Sequence, residues 1–347
     1  MLEKPALEDE KIVACLRDQY GLSIAQVEFL PLGADANTAV YRVISDLQTA
    51  YFLKLRSGVF DEMSVLLPHL LHEQGIRQII DPMITKAERL YGNLDTFSVI
   101  LYPFIEGKNG FDVRLSDAQW IEFGRALKRI HSVNAPSILK SRLLQEYYSP
   151  TWLQIVREFQ AFVEATTFAD PISTKLAALI KSNRPVIDDL IKRTERLDQM
   201  LRTQVPAEYV ICHSDIHAGN LLIPTNGNFY IVDWDAPILA PKERDLMFIG
   251  GGIGKLDSPQ EEALFYQGYG QTPINFAVLA YYRYERIIED IAAYCREILV
   301  SDKGDLDREE GLRRLSSAFQ PNAVIDIAYR TDRTNPMGGS DFMNIPE

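Results

Sequence analysis

The sequence predicts an α+β fold in two lobes: a small N-terminal lobe built on antiparallel sheet and a larger, mostly helical C-terminal lobe. Three observations carry that expectation. Before Pro103 the chain alternates short β-type runs with polar connections, and after it helical spacing recurs. A length of 347 residues is also more than one hydrophobic core usually holds. The balance of 46% hydrophobic and 24% charged residues is that of a globular chain, so neither disorder nor a fibrous class competes.

Ile12, Val13, Leu16 and Tyr20 recur at helical spacing, so residues 8–20 are expected to form an amphipathic helix. Three β-type runs follow at 27–32, 39–44 and 50–55. Their links are short and polar, which predicts an antiparallel meander. Val65, Leu66, Leu70 and Leu71 mark a helix over 62–74, and 97–102 is a further strand ended by Pro103. Ser116 and Gln119 form a capping-box pair in front of a helix that carries Trp120, Phe123, Leu127 and Ile130 on one face. Trp152, Ile155, Val156, Phe159 and Val163 mark the next helix. Residues 174–203 hold one or two more, with Pro185 either starting the second or kinking the pair. A short strand is expected at 209–212. The runs 221–223 and 229–232 flank Asn226-Gly227, a hairpin signal because both residues tolerate positive φ. Residues 258–270 and 274–300 return to helix. The expected division is a sheet-rich N-terminal lobe at 1–103, a mostly helical C-terminal lobe at 104–330, and a loosely held tail at 331–347.

Charge narrows the partners. Lys and Arg number 36 against 48 Asp and Glu, a net of −12. That excess argues against a nucleic-acid backbone and suits either solubility alone or a cationic small molecule as partner. Cys15, Cys212 and Cys295 are far apart with no Cys-x-x-Cys pair, which fits a reducing compartment without structural zinc. The N-terminal stretch is charged throughout, unlike a signal peptide, and no apolar run approaches the ~18 residues of a membrane span. A cytoplasmic location without a membrane partner is the expectation.

The chemistry concentrates in His213-Ser214-Asp215-Ile216-His217-Ala218-Gly219-Asn220 and the following Asp233-Trp234-Asp235. An Asp five residues before an Asn, then a second Asp after an apolar run, is the layout of a kinase catalytic centre. In that layout Asp215 takes or orients the proton of the attacking hydroxyl, and Asn220 and Asp233 hold Mg²⁺ through hard oxygen atoms. His213 and His217 are read as orienting the loop through their ring nitrogens. The competing reading makes them metal ligands together with Asp215 and Asp233, a set less suited to Mg²⁺.

Lys54 is a lone cation in Tyr51-Phe52-Leu53-Lys54-Leu55. Alternation places it on one side of the strand with Phe52, and an inward Lys must find an anion. Nucleotide phosphate is the candidate, with Glu62 holding the Lys in place and Glu73 as the reserve partner. Gly33 and Asn37 lie in a loop of small residues whose N–H groups can approach phosphate. Pro103 and Ile105 lie in a segment between the lobes whose backbone can pair with an adenine edge. Asp245 either fixes the catalytic loop through buried hydrogen bonds or caps the next helix. His131 ends a helix, where positive charge is favourable. Glu285 and Glu289, one turn apart on one face, either bind ammonium groups of an acceptor or form a solvated face paired with Arg283 and Arg286.

These residues resemble the aminoglycoside phosphotransferase family, whose members have a protein-kinase-like fold. The family loop H-x-D-x-H-x-x-N is matched by His213, Asp215, His217 and Asn220, the metal-binding Asp at the strand end by Asp233, and the strand Lys by Lys54. The segment 124–131 looks like the helix preceding the family's substrate region, and order and spacing agree over residues 20–300. The resemblance implies ATP- and Mg²⁺-dependent transfer of the γ-phosphoryl to a hydroxyl of an aminoglycoside-type antibiotic, with Asp235, Glu285 and Glu289 meeting the cationic acceptor. Segments 241–252 and 282–292 are more particular and narrow the implied acceptor to spectinomycin. Two departures stand out: the loop at Gly33 is poor in glycine, and Glu62 follows Lys54 after a short interval. Three alternatives remain open. One is the same chemistry on a metabolic alcohol, as in the choline, homoserine and methylthioribose kinases of similar fold. The others are a non-catalytic nucleotide-binding scaffold and a metal-dependent hydrolase built on the Asp/His cluster.

Overall fold

The structure, a computed structural model, describes residues 4–32, 37–203, 208–250, 259–300 and 304–333. Gly33 and residues 334–347 of the expected tail lie outside the described residues. In chain order the first elements are α1 (Asp9–Tyr20), β1 (Ile24–Leu30), β2 (Thr38–Ser45), β3 (Ala50–Ser57), α2 (Met63–Glu73), β4 (Gly92–Leu94), β5 (Phe97–Pro103) and β6 (Lys108–Asn109). Next come α3 (Asp117–His131), α4 (Ser137–Lys140), β7 (Leu144–Gln145), α5 (Thr151–Ala165), α6 (Pro171–Ser182), α7 (Arg184–Thr203) and β8 (Tyr209–Cys212). The chain continues through β9 (Leu221–Ile223), β10 (Tyr230–Ile231), β11 (Ile238–Pro241), α8 (Glu243–Leu246) and α9 (Pro259–Tyr269). It closes with α10 (Phe276–Leu299), α11 (Asp305–Ala318) and α12 (Val324–Arg333). The class is α+β. Two compact units form: Met1–Gln119 with Ser132–Leu144 and His213–Ile238, and Trp120–His131 with Gln145–Cys212 and Leu239–Glu347.

In the first unit a five-stranded antiparallel sheet runs in the order β1-β2-β3-β5-β4. Ile12 and Leu16 of α1 pack on one face, against Tyr41, Val43, Leu53, Leu55, Val99 and Leu101. Side chains alternate along a strand, so Lys54 and Arg56 project from the opposite face of β3 to Leu53 and Leu55. That alternation aims two cations away from the apolar core and in the same direction. The hairpin expected at Asn226-Gly227 joins β9 and β10, with Gly227 at φ 85. The capping box closes as expected: Gln119 N–H donates to Ser116 Oγ at 3.3 Å, and Ser116 N–H to Gln119 Oε1 at 2.9 Å. Gln119 Nε2 also donates to the carbonyls of Gly227 and Asn228, tying the start of α3 to that hairpin.

In the second unit α10 is the central element, and α5, α6, α7, α8, α11 and α12 pack on it. Its Tyr281, Tyr282, Tyr284, Ile287, Ile288, Ile291 and Cys295 are all buried, the pattern of a helix covered on most sides. Asn275 caps its start, accepting from Ala277 N–H at 3.1 Å and Val278 N–H at 3.3 Å. Pro185 lies in the first turn of α7, where its missing N–H breaks no helical bond, so it starts a helix rather than kinking one. A Cβ at Gly124 would sit 2.0 Å from the Phe265 carbonyl oxygen, and one at Gly268 1.7 Å from that of Ile121. Helices α3 and α9 therefore touch backbone to backbone, a contact only glycine permits.

Helices α11 and α12 were not expected from the sequence. Since α12 runs to Arg333, residues 331–333 are helical, a correction to the expected start of the tail. Asp332 explains why the helix holds there: it is buried and accepts from Arg193 at 2.8 Å, Arg196 at 2.7 Å and the Tyr284 hydroxyl at 3.2 Å. Cys15, Cys212 and Cys295 are free and buried. Among the described residues, no helix is long and apolar enough to cross a membrane.

Candidate active site

The loop that follows β8 is shaped by side chain to backbone hydrogen bonds within the first unit. Ser214 takes φ 73, and its hydroxyl donates to the Ala236 carbonyl at 2.7 Å. His213 is buried; its Nε2 donates to the Val232 carbonyl at 2.9 Å, and its Nδ1 accepts from Asp215 N–H at 3.3 Å. Both ring nitrogens are occupied by backbone, so the ring orients the loop and the metal-ligand reading of His213 is corrected. His217 Nδ1 accepts from Gly219 N–H at 2.9 Å, and its Nε2 lies 3.6 Å from Asp215 Oδ2, too far for a hydrogen bond. The His217 ring stacks on Phe111, centroids 5.6 Å apart. Phe111 was missed in the sequence, where an exposed aromatic in a loop carries no periodic signal.

Asn220 joins this loop to the Asp233 segment. It is buried, its Nδ2 donates to the Asp215 carbonyl at 2.8 Å, and its own carbonyl accepts from Val232 N–H at 2.9 Å. The first bond commits the amide nitrogen and leaves the side-chain oxygen as the atom for a cation. One residue beyond Val232, Asp233 takes φ 66, in the left-handed region that Asp and Asn enter more readily than other non-glycine residues. The Asn220 amide oxygen and the Asp233 carboxylate are hard donors on hydrogen-bonded segments, and they fit Mg²⁺.

Lys54 reaches the same place from β3. Its ammonium donates to Asp235 Oδ1 at 2.7 Å and to Asp233 Oδ1 at 3.0 Å. Arg56, two residues on, donates to the other oxygen of Asp235. Burial works against the charge on Lys54, but the two carboxylates outweigh it and raise its pKa above the ordinary lysine range. Asp233 keeps half of its side-chain surface open, yet partial desolvation by the surrounding protein opposes its ionisation; Lys54 overcomes this, so that carboxyl titrates below its usual range. Two expectations are corrected here. Glu62 does not hold Lys54: it accepts from the Tyr91 hydroxyl and from Arg142, and these bonds lower its pKa. Asp235 does not stand open to an acceptor, since both its oxygens are taken by cations of β3. Arg56 was legible in the sequence at position i+2 from Lys54 and was overlooked.

Of the expected nucleotide contacts, Asn37 sits just before β2, its carbonyl accepting from Ser57 N–H at 2.9 Å. Pro103 ends β5 opposite Tyr51 and is exposed, and Ile105 is partly buried. Gly33 lies outside the described residues. Glu73 is exposed and lies 3.7 Å from His69, so it is not the partner of Lys54 either.

In the second unit Glu285 is buried, accepting from Arg244 at 3.0 Å and from the Tyr281 hydroxyl at 3.1 Å. This corrects its expected role: its oxygens are occupied, and its partner is Arg244 rather than Arg283 or Arg286. Glu289 is partly buried, and its charge acts on Arg244 and Glu285. Burial raises the Glu285 carboxyl to about 7; Arg244 pulls the other way, and Glu146 and Glu289 add to the rise. A folded pKa above the ordinary 4.5 stabilises the fold fully below pH 4.5, and that contribution is lost as pH rises through about 7. Glu285→Gln lacks this titration. Its stability relative to the unmodified protein is therefore expected to rise by roughly 3 kcal/mol between pH 4.5 and 8, measured by urea unfolding of both proteins. A pH-independent difference would show that Arg244 keeps Glu285 ionised.

The family profile described as "Phosphotransferase enzyme family" matches residues 28–273. Among solved structures, the chain is similar to spectinomycin phosphotransferase, APH(9)-Ia, in complex with ADP and spectinomycin. Identity is 38% and the TM-score 0.87, over 95% of this chain and 100% of that one. The AMP-bound complex of spectinomycin phosphotransferase gives 37% identity and a TM-score of 0.83, over 93% and 98%. Choline kinase LicA from Streptococcus pneumoniae, at 16% identity and a TM-score of 0.55 over 89% and 99%, shows the shared fold alone. No curated protein matches the chain.

Proposed function

The chain belongs to the phosphotransferase enzyme family, and we propose that it is an ATP- and Mg²⁺-dependent kinase acting on a hydroxyl of an aminoglycoside-type antibiotic, spectinomycin in the first instance. The observation that carries the reaction type is the joining of Lys54, Asp215, Asn220 and Asp233 in one compact unit. The choice of acceptor is supported by 38% identity, over 95% of this chain, to an enzyme whose structure holds ADP and spectinomycin.

On this reading Lys54 binds the nucleotide phosphates, and Asn220 and Asp233 supply oxygen ligands to Mg²⁺. When bound, Mg²⁺ neutralises charge on the phosphates. Asp215 orients the acceptor hydroxyl and takes its proton as the oxygen attacks the γ-phosphorus, giving the phosphate ester and ADP. Asn37, Pro103 and Ile105 contact the nucleotide. Glu289 and the overall charge of −12 suit an acceptor carrying ammonium groups. The three buried free thiols suit a reducing cytoplasm.

The test is ADP release from Mg²⁺-ATP with and without spectinomycin, and with choline as a comparison alcohol. Release is expected to require spectinomycin, to stop with EDTA and to return with added Mg²⁺. Release with choline alone would move the assignment to a metabolic kinase, and no release with any acceptor would remove the catalytic reading.

A further inference from the structure

We propose that Asp235, anchored by Arg56, is the residue that positions Lys54 for the nucleotide phosphates, in the place of a carboxylate from α2. The proposal rests on the reading of Lys54 as a phosphate ligand.

The two carboxylates on Lys54 are not equivalent. Asp233 is the more exposed, with half of its side-chain surface open, and is the one expected to turn an oxygen to Mg²⁺. Once it does, its hold on Lys54 is weakened. Asp235 is about three-quarters enclosed, at 27% side-chain exposure, and makes the shorter bond, 2.7 Å against 3.0 Å. Its second oxygen is fixed by Arg56, so its carboxylate cannot rotate away without breaking that pair. Lys54 and Arg56 lie on one face of β3, two residues apart, so Asp235 spans two successive outward positions of the same strand. A planar carboxylate held at both oxygens by two cations is a rigid support.

The helix that follows offers no substitute. Glu62 is engaged by Tyr91 and Arg142, and its side chain is 40% exposed. Glu73, at the far end of α2, is exposed beside His69. Asp235 is thus a positioning residue acting through Lys54, and Arg56 acts through Asp235.

Asp235→Asn, Arg56→Met, Arg56→Lys and Glu62→Gln provide the test. The readouts are ADP affinity by calorimetry, with and without Mg²⁺, and the split between KM for ATP and kcat. Asp235→Asn is expected to weaken ADP binding about tenfold without Mg²⁺ and to lower kcat/KM for ATP by up to about 100-fold, the scale of a misplaced contact group. Arg56→Met should shift both in the same direction, Arg56→Lys should recover part of the loss, and Glu62→Gln should stay within about twofold of the unmodified protein. Arg56→Met leaves both carboxylates in place, so it decides the matter if Asp235→Asn does not fold. The proposal is overturned if Glu62→Gln reproduces the loss while Asp235→Asn and Arg56→Met bind ADP normally. That result leaves the phosphotransferase reading intact. If the unmodified protein binds no ADP, that reading fails and this proposal fails with it.

Discussion

Asp215→Asn is expected to lower kcat by roughly 10²–10⁴-fold while leaving ADP affinity within a few-fold. An amide keeps the shape of the side chain and loses the ability to take a proton. The loop itself should survive the change, because Asp215 is tied in through its backbone: its N–H donates to His213 Nδ1 and its carbonyl accepts from Asn220 Nδ2. Neither bond uses the carboxylate. The amide oxygen of Asn220 and the carboxylate of Asp233 therefore keep their positions, and nucleotide binding reports on an undamaged site. Steady-state ADP release and calorimetric ADP binding measure the two halves of this expectation. A variant with near-normal kcat would show that the hydroxyl loses its proton elsewhere, and one that also loses ADP binding would show that the loop had collapsed.

The arrangement of the loop proposed as catalytic was legible because its residues meet through short-range connections. Asp215 and Asn220 are five positions apart, and the hairpin that brings Asp233 alongside carries its own turn signal at Asn226-Gly227. The central strands were legible from their period of two, and α1, α2, α5 and α10 from their helical spacing. The short strands β4 and β6 went unread: they have too few positions for a period to show, and exist because a neighbouring strand supplies partners. The misread contacts are those of charged groups that meet across long stretches of chain. Lys54 had an acidic residue eight positions away at Glu62, yet its partners are Asp233 and Asp235. Glu285 had arginines at 283 and 286, yet Arg244 reaches it. Sequence proximity favours the near partner, whereas in the fold the strand and helix faces decide which charges share a low-dielectric space.

His131→Ala is expected to destabilise the protein by about 3–5 kcal/mol, because it removes one member of a buried charged or strongly polar pair. Sequence reasoning saw His131 as a helix-end charge and Asp245 as a loop anchor or cap. The fold joins them: His131 Nε2 donates to Asp245 Oδ2 at 3.0 Å, and the Tyr269 hydroxyl lies 2.8 Å from Nδ1. Asp245 is fully buried, so its carboxylate cannot turn to water when the imidazole is removed. Asp245→Asn should cost less, since an amide oxygen still accepts from the ring. The double variant should cost less than the sum of the two single changes, and chemical unfolding of all four proteins measures that coupling. Cys212 brings its sulfur near the same two side chains, all three ligand atoms lying within 4.8 Å of one another, which raises the question of a metal. The chemistry of the donors speaks for hydrogen bonding instead. Both imidazole nitrogens are engaged, and burial holds the Cys212 thiol well above its ordinary pKa while it points at the carbonyls of Ala240 and Pro241. EDTA is accordingly expected to leave the unfolding midpoint of the unmodified protein unchanged. A drop on chelation, absent in His131→Ala, would instead make this cluster a structural metal site.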